Sequence, residues 1–213
     1  MRFDAPEVVH AAEVLGELWF TEGNVYGGNV AINATSTADA PVPMFTEGGP
    51  DCWLHKQAGW IPGFFPGNVD VDPADWAVVP GEGASFFYFP EIDPAYGRPA
   101  LGSGDQFVMF NDRPEVRAVM EYLATADAAK GWIADGGFVS PNSAVDPSLY
   151  TNYTSAEIAR ILSEATAVRF DASDLMPAQV GAGTFWSGMV EWISANGEGT
   201  EGILADIEAS WPD

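Results

Sequence analysis

Apolar side chains recur every three or four residues along several stretches of the chain, a spacing that places them on one face of an α-helix. In the first stretch the apolar positions run from Val8 to Trp19. The same spacing predicts helices over residues 4–20, from Asp112 to Leu123, from Thr154 to Leu162, from Phe185 to Ser194 and from Glu201 to Ser210. Helices therefore dominate the second half of the chain.

The first three of these helices carry the residues of a capping box at their start. In this motif an Asp or Thr side chain accepts a hydrogen bond from the amide three residues later, and a Glu at that later position reaches back. The pairs are Asp4 with Glu7, Asp112 with Glu115, and Thr154 with Glu157. We expect each helix to begin directly after its capping residue.

Short runs rich in aromatic and β-branched residues predict strands between the helices. The four candidates are Cys52–His55, Trp76–Val79, Ser85–Phe89 and Gln106–Phe110. Clusters of Gly, Pro, Asn and Asp separate them at 62–75, 80–84 and 90–105. Because strands and helices are interleaved, the pattern indicates an α/β fold in which helices cover a sheet.

The composition is that of a folded domain, and the charge limits the kinds of partner that the chain can bind. Hydrophobic residues make up 47% of the 213 positions, and 8 basic against 31 acidic residues give a net charge of −23. Such a surface repels nucleic acid and anionic membranes. The sequence contains no run of 18 apolar residues, so it predicts no membrane-spanning helix. The N-terminus has no apolar signal region, so a complete chain would be cytoplasmic, whereas a fragment would have its signal sequence upstream.

The sequence offers little support for catalysis or for a metal site. His10 and His55 are far apart, and neither has zinc-ligand spacing or a nucleophile elbow nearby. Asp70, Asp72 and Asp75 resemble a calcium loop only faintly, because Asp75 occupies the position that requires glycine. No cofactor motif is present, so we expect no cofactor. Acidic residues are numerous, and counting alone leaves a glycosidase carboxylate pair open.

Aromatic residues are the informative part of the composition, with 8 Trp, 6 Tyr and 13 Phe. A flat indole stacks on the C–H face of a sugar ring, while carboxylates and amides bond its hydroxyl groups. Most of these aromatic residues, including Trp19 and Trp132 on helix faces, are expected to pack in the core. Two or three are expected to contact a ligand.

Three stretches carry a resemblance to a known family. The stretch from Asp171 to Trp186, with Met176-Pro177 before Phe185-Trp186, resembles the C-terminal region of extracellular solute-binding proteins of the maltose-binding type. Within that family the chain looks closest to the α-glucoside-binding branch. The stretches Leu54–Pro66 and 102–116 also resemble the family, and in the same order. The resemblance extends over nearly the whole chain from about residue 3.

The resemblance implies a fold and a function. The family has a periplasmic-binding-protein fold (type II, or Venus-flytrap) with two α/β lobes that close around a ligand. This chain looks like the second half, with residues 1–100 and 155–213 in the second lobe and the crossover segment 101–154 in the first. The disulfide partner of the single Cys52 and the signal sequence would then lie upstream. The expected role is that of a non-catalytic, periplasmic or extracellular receptor that delivers an oligosaccharide to the permease of an ABC importer.

The same resemblance, together with local sequence, points to four ligand-binding residues: Trp186, Phe185, Trp60 and Asp105. Trp186 is expected in the first turn of a helix capped by Gly183-Thr184, where a side chain can face a cleft. Trp60 is expected on a loop beyond a strand, and Asp105 just before the strand Gln106–Phe110. The family's best-known maltose binder has an arginine four residues after the stacking Trp, where this chain has Val190.

Two other hypotheses remain open at this point. One is a carbohydrate-active enzyme with a carboxylate pair in an aromatic cleft. The other is a half-protein that binds weakly or not at all. In a half-protein the apolar stripe of the helix Val116–Leu123, and the segment near Trp132-Ile133, would lack the sheet that covers them in the family. Segment 101–154 would then be the least stable part of the chain.

Overall fold

The computed structural model describes residues 2–65, 84–91, 93–136, 138–151 and 153–212. Its regular elements, in chain order, are α1 (Pro6–Phe20), α2 (Gly28–Ala34), β1 (Pro99–Gly102), α3 (Pro114–Leu123), α4 (Ala126–Asp135), α5 (Tyr153–Glu164), β2 (Ala167–Phe170), α6 (Trp186–Ser194) and α7 (Thr200–Ala209). Short 3₁₀ turns lie between them, and a π-helical turn, Val180–Phe185, runs directly into α6.

The chain folds into two compact units. The first unit comprises Met1–Met44, Asp51–Leu54 and Asp171–Asp213, and the second comprises Phe45–Pro50 and His55–Phe170. The first unit therefore joins the beginning of the chain to its end. These boundaries differ from the lobe boundaries at residues 100 and 154 that the family resemblance implies.

The core of the first unit forms where α1, the π-helical turn and α7 meet. Val180, Leu204 and Ile207 are at most 3% exposed. The hydrophobic side chains packed against them are Phe3, Val8, Val9, Ala12, Met176, Phe185, Met189 and Ile203. Removing this apolar area from water is the main term that holds the helices together.

A second packing centre of this unit is Trp192 on α6, which is 2% exposed. Its ring lies 4.9 Å from the Phe20 ring, edge to face, and 6.1 Å from the Trp19 ring. Its indole N–H donates to the Thr200 hydroxyl at 2.9 Å, so burial leaves this polar group satisfied. Trp192 thereby ties the end of α1 to the start of α7.

The second unit contains a parallel pair of strands, with Pro99 opposite Ala167 and Gly102 opposite Phe170. Immediately before the pair, the Thr166 amide donates to the Arg98 carbonyl at 3.0 Å. Parallel strands require a long crossover, and here the crossover contains α3, α4 and α5. A small core lies within it, formed by Ala129, Ile133 and Val145. The described part of the chain is thus a helix-rich α/β structure.

The five predicted helices are found within a few residues of where the apolar spacing places them, but the capping boxes are wrong. α1 and α3 begin at Pro6 and Pro114, and no side chain caps either helix. Proline at the first helical position has a fixed, helix-compatible φ and needs no partner for an N–H, so it sets the start. The acidic residues left outside take arginine partners instead. Asp4 accepts two hydrogen bonds from Arg2, and Asp112 pairs with Arg117.

The third capping box is wrong for a different reason. α5 begins at Tyr153, so Thr154 lies inside the first turn and is only 6% exposed. Its expected partner Glu157 pairs with Arg160 one turn later, and the Arg160 guanidinium also contacts Glu164. Ion pairs between residues three or four apart are common on helix surfaces. The Glu157 carboxylate is engaged in such a pair and is not available to form a capping box.

Three of the four strand predictions are also wrong. Cys52–His55, Ser85–Phe89 and Gln106–Phe110 have no strand structure, and Trp76–Val79 lies outside the described residues, as do Asp70, Asp72 and Asp75. A strand exists only through the ladder with its neighbour, and these runs have no such ladder among the residues that the structure describes. The strands that do form, β1 and β2, pair with each other across a long crossover.

The apolar stripe of segment 101–154 is covered only in part. Val119 and Trp132 are 55% and 43% exposed, as the half-protein hypothesis expects. Ile133, however, is buried in the small core beside Val145. The segment therefore covers part of its own apolar surface with the chain that follows α4.

Candidate functional site

Trp186, the first predicted site residue, is the first residue of α6 and is 69% exposed. Val190 lies one turn later on the same face and is 38% exposed. This pair forms an apolar surface on the first unit at the start of a helix. A large aromatic side chain exposed in this way is available to stack on a ligand.

The turn before Trp186 differs from the prediction. Gly183-Thr184 does not cap a helix, because the π-helical turn Val180–Phe185 continues into α6 without a break. The hydroxyl groups of Thr184 and Ser210 instead form a hydrogen bond of 2.5 Å. Trp186 therefore stands inside a continuous helical segment, not at its free end.

The π-helical turn depends on close backbone packing at Gly181. A Cβ atom at Gly181 would lie 2.9 Å from the carbonyl oxygen of Ser173 and 3.2 Å from the Cβ of Met176. The amides of Val180 and Gly181 both donate to the Pro177 carbonyl, at 2.8 and 2.9 Å. The Met-Pro turn thus starts the helical segment that carries Phe185 and Trp186.

Phe185, the neighbour of Trp186, is turned inward. Its ring lies 5.5 Å from the Phe3 ring, and it packs against the core of Val180, Leu204 and Ile207. Successive helical residues are about 100° apart around the axis, which separates the two side chains. Phe185 consequently supports the position of the segment that exposes Trp186.

Trp60 belongs to the second unit and is 47% exposed. It precedes the 3₁₀ turn Ile61–Phe64, in which Ile61 is only 2% exposed. The Trp60 and Phe64 rings meet edge to face at 5.6 Å. The buried Ile61 anchors the turn, while much of the Trp60 side chain stays accessible.

Asp105 also belongs to the second unit and is exposed, in a segment without regular structure. The strand expected after it is absent, and Phe107 and Phe110 are 58% and 96% exposed. The carboxylate is accessible to a ligand. Among the described residues no strand ladder holds the Asp105 backbone, so the prediction that it directly precedes a strand is wrong.

His55, which has the one orphaned polar atom in the described structure, is not among the four predicted residues. Its Nε2 is buried without a hydrogen-bond partner among the described residues, and burial lowers the pKa of the imidazole. The lowered pKa disfavours the charged form of the His55 imidazole, which works against its use as a charged contact for a ligand. Its neighbour Leu54 is 70% exposed, so the surroundings change sharply along this loop.

The described residues include no group of three or more His, Cys, Asp or Glu side chains placed to hold a metal ion. None of the described helices is both long enough and apolar enough to cross a membrane. The single cysteine, Cys52, is half-buried, with its sulfur 3.2 Å from the Leu54 carbonyl oxygen.

Two relatives place these features in context. The chain is 40% identical over 210 residues to the osmoprotective compounds-binding protein GgtB of Synechocystis sp., and the match covers 99% of this chain and 47% of that protein. It is 36% identical over 213 residues to the alpha-glucosides-binding periplasmic protein AglE of Rhizobium meliloti, covering 98% of this chain and 43% of that protein. No family model and no solved structure matches the chain.

The chain spans less than half the length of both relatives. Both relatives are named as binding proteins, and identity of this level over almost the entire chain is sufficient to establish common descent. By sequence, the chain is therefore related to the C-terminal half of periplasmic solute-binding proteins, among them an α-glucoside binder.

Proposed function

We propose that the chain is the C-terminal part of a carbohydrate-binding component of an ABC importer, and that it captures an oligosaccharide of the α-glucoside type. The relation to an alpha-glucosides-binding periplasmic protein carries the proposal. The exposed indole of Trp186 supports it, because an accessible aromatic face is what sugar rings stack on.

The finer arrangement is part of the same proposal. Residues 1–100 and 155–213 belong to the second lobe of a type II binding protein, and 101–154 to the first. Support comes from the exposed apolar residues on and before α3, among them Val108, Phe110 and Val119, which need cover from further polypeptide. The partial match to both relatives fits a chain that provides one portion of such a structure.

The proposed mechanism is capture by hinge closure, with no bond made or broken. Trp186 stacks on one sugar ring, and Trp60 provides a second aromatic contact. The Asp105 carboxylate accepts hydrogen bonds from sugar hydroxyls. Phe185 lies beside Trp186 at the ligand site. Its ring packs against the core, so its main role is to hold the helical segment that presents Trp186. The closed receptor acts outside the cytoplasm, in the periplasm or at the cell surface, and delivers the sugar to a membrane permease.

The test is a titration of the protein, expressed from its complete reading frame, with maltose, trehalose and sucrose. Binding to the native state raises its stability, so a thermal shift identifies the ligand and calorimetry gives the affinity. Trp186→Ala is expected to weaken binding by about 1–3 kcal/mol, or roughly 5- to 150-fold. Trp211→Ala, at an indole 40% exposed in the same unit, is the control and leaves affinity unchanged.

The outcomes separate the function from the site. No thermal shift with any of the three sugars contradicts the α-glucoside proposal as a whole. Binding that survives Trp186→Ala contradicts only the role of Trp186. Turnover of an aryl glycoside by the purified protein would replace the receptor with an enzyme.

A further inference from the structure

The π-helical turn Val180–Phe185 brings residues that are five apart in the sequence onto the same side of the helical segment. Val180 is 0% exposed, and Phe185 packs against the same core. In an α-helix of 3.6 residues per turn, two residues five apart point about 140° away from each other. A π-helical turn has its hydrogen bonds between residues five apart, so it places both side chains on one side. The wide turn therefore lets both of them reach the core.

A second pair of residues with the same spacing contacts the end of α7. The Gln179 side-chain amide donates to the Ser210 carbonyl at 3.0 Å, and the hydroxyl oxygens of Thr184 and Ser210 are 2.5 Å apart. Ser210 donates its own hydroxyl proton to the Ile207 carbonyl at 2.7 Å, so Thr184 is the donor between the two hydroxyls. Ser210 thus contacts the segment just before the π-helical turn and again inside it.

The direction of Trp186 depends on this turn, because Trp186 follows it without a break. Closing the turn to an α-helix would rotate the residues after it by about 100° relative to those before it, the angle of one residue. Val180 and Phe185 would then not both stay buried. π-helical turns are rare, so this one needs contacts that hold it open.

We propose that the π-helical turn sets the direction of the Trp186 indole, and that Thr184 and Ser210 are the positioning residues that hold the turn open. The packing of Val180 and Phe185 fixes the two ends of the turn in the core, and the Thr184 hydroxyl ties its last part to α7. The effect on sugar affinity rests on the proposed function, whereas the direction of the indole is measured without any ligand.

The first test is ¹⁹F NMR of the full chain labelled with 5-fluorotryptophan, in which the Trp186 resonance is identified by its loss in Trp186→Phe. A soluble paramagnetic agent reports exposure, because it broadens the resonance of an accessible indole. Thr184→Val removes the hydroxyl and keeps the shape, and it should change both the shift and the broadening of the Trp186 resonance. Ser210→Ala removes the same hydrogen bond from the other side and should have the same effect.

Two controls show whether the hydroxyl itself is responsible. Thr184→Ser keeps the hydroxyl and should give the Trp186 resonance of the parent chain. Thr21→Val removes a hydroxyl that donates to the Glu17 carbonyl at the end of α1, in the same unit, and should leave the resonance unchanged. An unchanged Trp186 resonance in Thr184→Val and Ser210→Ala, or an equal change in Thr184→Ser, would overturn the proposal.

A pair of deletions tests whether the turn contains one residue more than an α-helix would. Without the exposed Ala182, both pairs become four apart, a spacing that an α-helix places on one side. This deletion should lower Tm by only a few degrees. Deleting Ala205, an exposed alanine of α7, turns Ile207 away from the core by about 100° and should lower Tm far more. Equal losses from the two deletions contradict the extra residue.

The deletion also shows why the hydroxyl is needed. In the chain without Ala182, Thr184→Val should no longer change the Trp186 resonance, because an α-helix keeps this register by itself. A change as large as in the chain that retains Ala182 would mean that the hydroxyl acts without regard to the π-helical turn, against the proposal.

Sugar affinity separates this proposal from the proposed function. In the protein expressed from its complete reading frame, Thr184→Val should weaken binding about fivefold for whichever of maltose, trehalose and sucrose binds the parent. The apparent affinity falls with the fraction of molecules whose indole is correctly directed, and a lost hydrogen bond shifts that fraction by about this factor. Undiminished affinity beside a changed Trp186 resonance contradicts the positioning role. If the parent binds none of the sugars, the proposed function fails, and the ¹⁹F measurement still decides what directs Trp186.

Discussion

The two compact units bury their apolar side chains to very different extents. In the first unit, α1, the π-helical turn and α7 enclose Val180 and Ile207, and eight further hydrophobic side chains pack around this core. Among the residues of the second unit that the structure describes, the small core around Ile133 has four such neighbours. The run Phe107–Phe110 in that unit stays exposed, and the Phe110 side chain is 96% accessible.

The difference shows what a helix needs besides its apolar stripe. α3 and α7 are both ten residues long, and both carry apolar residues at helical spacing. α7 buries Leu204 and Ile207 because two other helical segments converge on them, whereas α3 buries none of its residues. Most of the stability of a helix in a protein comes from such packing, not from its own propensity.

The largest expected effect is a difference in hydrogen exchange between these two helices. In the chain alone, amides of α7 should be protected more than those of α3 by about 3 kcal/mol, or roughly two orders of magnitude in rate, because α3 opens without exposing a buried core. Native-state exchange followed by mass spectrometry measures this. Equal protection of α3 and α7 in a proven monomer would show that segment 101–154 is as well covered as the first unit.

A pair of isoleucine truncations sharpens the comparison at single residues. Ile207 and Ile133 are 1% and 2% exposed, so the two changes to Ala delete the same atoms from equally buried sites. Ile207→Ala should cost about 3–5 kcal/mol and Ile133→Ala about 2–3 kcal/mol, because a larger cavity persists in the denser core. Urea titration of each variant gives the values. Val30→Ala, 71% exposed, is the control and should change little.

The exposed segment of the second unit offers a smaller test. Phe107 stacks on Trp132 at 6.0 Å, nearly parallel, while Phe110 is almost fully exposed. Phe107→Ala should cost about 0.5–1.5 kcal/mol and Phe110→Ala close to nothing. Thermal unfolding compares them. A large loss from Phe110→Ala would mean that this side chain is covered in solution, for example by a second copy of the chain.

The smallest expected effect concerns pH. The Arg160 guanidinium holds the pKa of Glu157 below its usual value through a hydrogen bond. The charged carboxylate is therefore favoured in the folded state, and this stabilisation is complete above the ordinary pKa of Glu and is lost as the pH falls through the lowered value. Glu157→Gln should lessen the fall in α5 protection between about pH 5 and pH 3. Glu121→Gln, on α3, should leave that fall unchanged.

The helices were largely predictable because their signal is local. Apolar spacing located α1, α3, α5, α6 and α7 to within a few residues. It missed α2 as an element, since this helix has no strong stripe and is held by Asn29 and Asn33, whose amides donate to carbonyl groups of α6. α4 was seen only as an apolar segment. The first residues of the helices were predicted less well, because α1 and α3 begin at Pro6 and Pro114 and not directly after the acidic residues Asp4 and Asp112.

The strands were not predictable from single runs of residues. Gln106–Phe110 has the composition of a strand and forms none, whereas β1 contains Pro99 and Gly102 and does pair. Pairing depends on which distant segment lies alongside, and β2 lies more than 60 residues away in the sequence. Whether a segment forms a strand depends on both pairing segments, so the residue pattern of one segment alone cannot predict it.

By itself, the sequence determined the helical faces, the α/β class, the strong negative charge and the relation to solute-binding proteins, since each depends on composition, on spacing or on the order of motifs. Only the tertiary structure decided which aromatic residues are accessible. Phe185 and Trp186 are neighbours of similar chemistry, yet one packs on Phe3 and the other is 69% exposed. The physical reason is that exposure depends on what packs against each side of a helix, and residues distant in the chain provide that packing.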